Sequence, residues 1–226
     1  MKLVIVVPAF NESSVIYKVL SLLPKSLNRI STIETVVVDD GSSDKTSQEA
    51  KKAGAKVLRH ISNRGVGAAT KTGIEYAKIK EADVVVTFDA DGQHDPEDIP
   101  KLLKPIISRT ADVVIGSRFK KKQKMPLDRF FLNWFANLIT FILFGVVSTD
   151  SQSGLRAFSK KAINLINFSG ERMDFSSEIL LEAKKHKLKT HEVPIKAIYT
   201  SYSRAKGQKN INSISILVRF IIKFLR

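Results

Sequence analysis

Apolar runs of two kinds alternate along the first half of the chain. Residues 3–7 (LVIVV) form an uninterrupted, largely β-branched run, the pattern of a strand covered on both faces. Residues 11–23 then space their apolar positions at helical intervals and stop at Pro24. TVVVDD, residues 35–40, predicts a second strand, with Asp44 placed to cap the next helix and Gly54 to end it. AKVLRH (55–60) predicts a third strand and residues 67–78 a helix. ADVVVTFDAD (82–91) predicts a fourth strand closed by Gly92, and residues 96–107 a helix with proline in its first turn. ADVVIGSR (111–118) is the fifth strand of the series.

Strands alternating with helices imply right-handed crossovers and a largely parallel sheet with helices on both faces, an α/β domain. In such sheets ligands sit beyond the carboxyl ends of the strands. The segments in those positions are PAFNE, DDGSSD, NRGVGAA, DADGQ and GSR, where glycine, acidic and polar residues cluster while the strands stay apolar. There is no internal repeat and no low-complexity linker.

After Arg118 the pattern changes. A lysine-rich loop leads into an apolar helix over residues 129–147, whose polar positions Arg129, Asn133, Asn137 and Thr140 fall about one helical turn apart. The last segment repeats the design, with Ser215, Arg219 and Lys223 as its polar stripe. Helices of this composition are buried or lie against a membrane. The C-terminal one reaches roughly 20–25 Å, short of a hydrocarbon core of about 30 Å. The expected organisation is one catalytic domain over residues 1–200, followed by a basic loop and an amphipathic helix over 201–226.

Charge narrows the partners. The chain of 226 residues carries a net +15 and no cysteine, so no disulfide staples it and polyanions are attracted to it. The short apolar start lacks the core length and small-residue cleavage site of a signal peptide, which fits a cytosolic chain. The basic residues cluster at Lys120–Lys124, at Lys184–Lys189 and beyond Arg204.

The densest chemistry lies at Asp89-Ala90-Asp91, leaving the fourth strand. Two carboxylates two residues apart can turn toward one cation, Gly92 lets the backbone bend, and Gln93 adds a neutral oxygen. Hard oxygen ligands suit Mg²⁺ or Mn²⁺ and leave positions for a diphosphate, whose growing negative charge the metal neutralises as it departs. Asp39 and Asp40, ending the second strand, can accept hydrogen bonds from ribose hydroxyls or a base N–H. Asn11 and Glu12 sit at the first strand-to-helix switch, where Glu12 also suits a helix N-terminus. Arg64–Ala69 forms a glycine-bearing loop of the phosphate-cradling kind or a site of close packing, after the third strand rather than the first.

The order VVPAFNE, VVVDDGSSD, NRGVGAA, FDADGQ, GSR resembles the family-2 glycosyltransferases of GT-A fold, and within them the dolichol- or polyprenyl-phosphate sugar transferases. TDSQSGLRAFSKKA (149–162), DFSSEILLEAKKHKLKTHEVPI (174–195) and, more loosely, YSRAKGQKN (202–210) extend the resemblance over nearly the whole chain. It implies an inverting, metal-dependent hexosyl transfer from a GDP-mannose- or UDP-glucose-type donor to a polyprenyl or dolichyl phosphate. Pro8, Ala9, Asn11, Glu12, Asp39, Asp40, Asp89 and Ala90 would line the nucleotide-sugar pocket, with Arg204 and Lys209 closing over the donor. Asp89, Asp91 and Gln93 would hold the metal, and Arg118, Arg129 and Asn133 would face the acceptor phosphate. Asp91 and Arg118 are the groups expected to act on the transfer itself. Asp150, Arg156 and Glu178 are candidates for orienting groups.

A lipid monophosphate needs no general base, because it is already anionic near neutral pH, with a second pKa of about 6; cations need only position it. Arginines followed by apolar helices suit such a head on a greasy tail. The two helices would then rest on the cytosolic face of a membrane, their basic residues meeting anionic headgroups, with a membrane-protein partner able to add anchoring. A soluble family-2 transferase acting on a polysaccharide or protein hydroxyl is the alternative and would need a base near Asp150 or Asp174. A nucleic-acid module is disfavoured, because carboxylates crowd the mouth of the sheet.

Overall fold

The structure is a computed structural model that describes residues 1–121, 127–170 and 174–198. Arg204, Lys209 and the C-terminal amphipathic segment lie outside the described residues, as does the side chain of Arg129.

Seven strands make one sheet: β1 (Lys2–Ala9), β2 (Thr32–Asp39), β3 (Lys56–Arg59), β4 (Val84–Thr87), β5 (Val113–Ser117), β6 (Arg156–Ser159) and β7 (Thr190–Pro194), in the order β3-β2-β1-β4-β6-β5-β7. β1 pairs in parallel with β2 and β4, β2 with β3, and β5 with β7. The expected sheet was largely parallel with β5 continuing the series. Instead β6 runs antiparallel between β4 and β5. The reversal moves Ser117 and Arg118 one strand away from the acidic end of β4, and β6 fills the gap.

The uninterrupted apolar run of β1 has a direct cause. Leu3, Ile5 and Val7 enter one core with residues of α1 (Ile16–Ser21), α2 (Thr46–Lys52) and α4 (Ile99–Ile107). Val4 and Val6 enter the other, with α3 (Val66–Ile79), α6 (Lys160–Leu165) and α7 (Phe175–Lys185). Both faces of the strand are therefore dry. α3 lies so close to β1 that a Cβ on Gly73 would stand 2.1 Å from Val6 Cγ1, a separation only glycine permits.

Two predicted helices differ in extent. The first begins at Ile16 rather than at residue 11, because Asn11 has a positive φ of 52° and the N–H groups of residues 11–13 bond to the loop after β2. The helix expected over 129–147 runs Leu127–Phe144 and is α5. It ends at Gly145, with φ of 59°, and Lys184 Nζ satisfies the last carbonyls, those of Phe144 and Gly145, at 3.0 Å each, as a cation at a helix C-terminus should. Among the described residues no helix is long and apolar enough to cross a membrane.

Candidate active site

The loops after β1 and β2 are laced together at the carboxyl edge of the sheet. The Asn11 N–H donates to Ser42 Oγ (2.9 Å), and Asn11 Oδ1 accepts from the Ser43 N–H (2.9 Å). The Glu12 N–H donates to Thr46 Oγ1 (2.8 Å) and the Ser13 N–H to Asp44 (3.1 Å). Asp44 also accepts from the Thr46 N–H and hydroxyl. Partial burial opposes its charge, but these hydrogen bonds from Thr46 and Ser13 prevail and lower its pKa to about 2.

Both aspartates ending β2 are buried. Asp39 accepts from the Ser42 N–H (2.9 Å) and the Ser47 hydroxyl, with Arg59 Nε at 3.8 Å. Asp40 accepts from the backbone N–H groups of Arg64 (3.0 Å) and Gly65 (2.6 Å). His60 Nδ1 lies 2.6 Å from Asp40, and its Nε2 is 2.9 Å from Thr72 Oγ1. Asp40 thus clamps the glycine loop that opens α3, and Gly65, with φ of 107°, makes the approach possible. The loop foreseen after the third strand is present, and its shape is set by a carboxylate foreseen as a ligand contact.

The acidic corner follows β4. Asp91 accepts from the Gln93 N–H (3.0 Å) and from Gln93 Nε2 (2.6 Å), so the Gln93 amide oxygen is left to act as an acceptor. His94 Nε2 is 2.8 Å from Asp89 Oδ2. Burial opposes the charge of Asp89, but the His94 hydrogen bond and the positive field of His94, Arg118 and Arg156 hold its carboxyl below the ordinary range. Burial and then the Asp89 charge push Asp91 the other way, above that range. Two carboxylates set against each other, with an adjacent amide oxygen, form a donor set that a hard divalent cation would relieve. Among the described residues no group of three or more His, Cys, Asp or Glu side chains is placed to hold a metal ion.

A basic group follows β5. Arg118 Nε and Nη2 donate to the two oxygens of Asp150 at 2.7 Å each, and the Arg118 N–H reaches the same carboxylate at 3.0 Å. Asp150 is fully buried. Arg118 Nη2 is 3.4 Å from Asn133 Oδ1 on α5. Glu192 of β7 anchors the loop before Asp150, accepting from Ser148 Oγ (2.8 Å), the Thr149 N–H (2.8 Å) and Thr149 Oγ1 (2.5 Å). Arg156 is buried behind this loop and donates to the carbonyls of Ser151 (2.7 Å), Ser153 (2.9 Å) and Ser176 (3.0 Å). Burial lowers its pKa to about 10, against the pull of Asp150 and Asp89.

A sequence profile described as Glycosyl transferase family 2 matches residues 4–165. The chain belongs to glycosyltransferase family 2. This transferase is 40% identical over 240 residues to the UDP-N-acetylglucosamine–dolichyl-phosphate N-acetylglucosaminyltransferase of Methanococcus voltae, covering 96% of this chain and 94% of that protein. It is 30% identical to the dolichol-phosphate mannosyltransferase of Pyrococcus furiosus, over all of this chain and 64% of that one. In fold it is similar to glucosyl-3-phosphoglycerate synthase of Mycobacterium tuberculosis in complex with Mn²⁺, UDP and phosphoglyceric acid: TM-score 0.75, 19% identity, 99% of this chain and 77% of that one.

In this glycosyltransferase the structure brings Asp89, Asp91 and Gln93 together after β4 and Arg118, Asn133 and Asp150 together after β5. Pro8 and Ala9 end β1, which flanks β4 on the side away from β5, with Ala9 level with Asp39 in the β1–β2 register. Sequence reasoning missed His94, Glu192 and Gly154. A Cβ on Gly154 would stand 2.1 Å from Asp89 Oδ2, so that glycine is what lets the carboxylate lie against the turn before β6. The tail of the described chain is stitched to the acidic corner: His94 bridges Ala197, and the Ile198 N–H donates to the Gln93 carbonyl at 2.9 Å.

Proposed function

We propose that this glycosyltransferase moves a hexose or N-acetylhexosamine unit from a nucleotide-sugar onto a polyprenyl or dolichyl phosphate while resting on the cytosolic face of a membrane. The observation that carries the reading is α5, an inside-out helix. Its polar stripe points inward: Asn133 meets Arg118, Asn137 accepts from the Ser151 N–H (2.8 Å) and donates to the Thr149 carbonyl (2.7 Å), and Thr140 bonds Ser177 (2.9 Å). Its aromatic residues point out, with Phe131 63% and Trp134 54% exposed. A water-facing helix has the opposite arrangement; an interfacial one has this.

Asp89, Asp91 and Gln93 would hold a Mg²⁺ or Mn²⁺ ion, whose chemistry there is to neutralise charge on the leaving nucleoside diphosphate. Arg118 and Asn133, with Arg129, orient the acceptor phosphate in line with the anomeric carbon. A phosphate oxygen forms the new bond to that carbon as the bond to the diphosphate oxygen breaks, with inversion. The phosphate is already ionised, so no base has to take a proton. Asp150 holds the Arg118 fork in place, so the arginine meets the phosphate without rotamer search. Arg204 and Lys209, outside the described residues, would close over the donor.

Relatives support the acceptor more firmly than the sugar, since the two named above transfer different sugars to the same class of lipid phosphate. The test is incubation of the purified chain with radiolabelled UDP-GlcNAc, UDP-glucose or GDP-mannose, Mn²⁺ and a polyprenyl phosphate. Label should pass, from one donor, into an organic-soluble product released by mild acid. Label recovered only in aqueous polymer or protein would establish the soluble transferase instead.

A further inference from the structure

We propose that His94 is a positioning residue that fixes the Asp89 carboxylate for its cation, an inference that rests on the reading of the acidic corner above. The imidazole lies on the buried side of Asp89: the His94 side chain is 3% exposed and that of Asp89 37%. Its Nε2 reaches Asp89 Oδ2 at 2.8 Å. An ionised carboxylate only accepts, so Nε2 carries the proton.

The ring is held from several sides. Phe88, fully buried, meets it edge-on with centroids 5.7 Å apart. The backbone of His94 bridges Ala197, and the next hydrogen bond along, Ile198 N–H to Gln93 carbonyl, continues that ladder. His94 Nδ1 is buried and, among the described residues, meets no hydrogen-bond partner. The fold therefore leaves one ring nitrogen unpaired in order to set the other against Asp89, which packing alone would not require. The backbone at Gly154 also packs against this carboxylate, where even a Cβ would fall 2.1–2.5 Å from its atoms.

Asp89 is thereby confined between an N–H donor and a bare backbone, which removes rotamer freedom that would otherwise be lost when an ion binds. Partners of this kind behind a ligating group typically change metal affinity by about 10–100-fold.

The experiment measures Mn²⁺ affinity of the full chain by EPR of free Mn²⁺, with UDP or GDP present and no acceptor. His94→Phe keeps the ring volume and removes the donor; His94→Gln offers an amide N–H in its place. His94→Phe should weaken Mn²⁺ about tenfold or more, with nucleotide affinity in EDTA unchanged, and His94→Gln should recover most of the loss. Wild-type Mn²⁺ affinity in His94→Phe overturns the proposal, as does a His94→Gln variant as weak as His94→Phe. A readout on the unmodified chain guards against misfolding of the variants. With ¹⁵N-histidine labelling, Mg²⁺ plus nucleotide should shift the His94 Nε2 resonance, and an unmoved resonance under metal-dependent nucleotide binding also overturns it. Failure of the cation reading itself looks different: wild type and Asp91→Ala would then be alike in binding no Mn²⁺ with either nucleotide.

Discussion

Arg118 and Asp150 face each other as a two-pronged ion pair, Nε to Oδ2 and Nη2 to Oδ1, both at 2.7 Å. Asp150 is fully buried and Arg118 is partly exposed. The pair joins the end of β5 to the loop before β6, the two sides of the reversed strand. Its buried member, Asp150, fixes the orientation of Arg118.

Removing one partner strands a buried charge. Asp150→Ala should cost about 3–5 kcal/mol of stability, read by urea denaturation. Arg118→Lys keeps the charge and loses the fork; its kcat/KM for lipid phosphate should fall about 10–100-fold, the value of one or two hydrogen bonds to a charged group. The double variant Arg118→Met/Asp150→Leu should regain part of the stability and none of the activity. Recovery of activity there would remove Arg118 from the acceptor site.

Asp91 is destabilised by burial and by Asp89, and its pKa stands above 3.8. Between that unfolded value and the raised folded one, the native state holds a proton that the unfolded chain has released. Acidification through that window therefore favours the apo fold, and the ionised group costs stability above it. Asp91→Asn should raise apo stability by about 1 kcal/mol, a shift of ~2–4 °C for a chain of this size, and abolish the extra stabilisation given by Mn²⁺ with nucleotide. Thermal unfolding with and without EDTA checks both. Cation affinity of the wild type should weaken as pH falls through the same window.

Asp44 has the opposite sign. Its folded value of about 2 lies below the ordinary 3.8, so its contribution is complete above 3.8 and is lost as pH falls toward 2. The side chain is exposed, and solvent screening keeps the effect small. The N-cap of α2 is Lys45 rather than the expected Asp44, so Asp44→Ala should cost about 1 kcal/mol through its lost hydrogen bonds to Ser13 and Thr46 and should flatten the acid limb of the stability profile measured by denaturation between pH 2 and 5.

The outward face of α5 should carry membrane binding. Phe131→Glu and Trp134→Glu each remove an aromatic group whose burial is worth about 1.5–3 kcal/mol. Sedimentation with anionic vesicles should fall about tenfold or more for each, while turnover of a short-chain acceptor in detergent stays near wild type. Unchanged sedimentation would leave α5 as a protein-contact surface.

Much of this molecule is legible from apolar periodicity. The parallel half of the sheet, its loops and the acidic corner all follow from runs such as LVIVV and from the position of DAD after one of them. β6 was not legible as a strand: it is four residues, opens on Arg156, and runs against its neighbours, so only tertiary contacts define it. β7 alternates too weakly at the sheet edge. Asp40 was legible as a carboxylate at a strand end, but its partners are backbone N–H groups 24 and 25 residues away, which no local pattern reveals. The polar stripe of α5 was visible; that it faces inward depends on Thr149, Ser151 and Ser177, which come from later in the chain.

The stitching of residues 197–198 to Gln93 and His94 gives polypeptide added downstream a mechanical handle on the acidic corner. Whatever pulls on the chain past Ile198 pulls on the backbone of a residue expected to touch the metal. The N-terminus, where Met1 lies beside Arg29 and Ser31 on the opposite rim of the sheet, is the place where an affinity tag would leave that handle untouched.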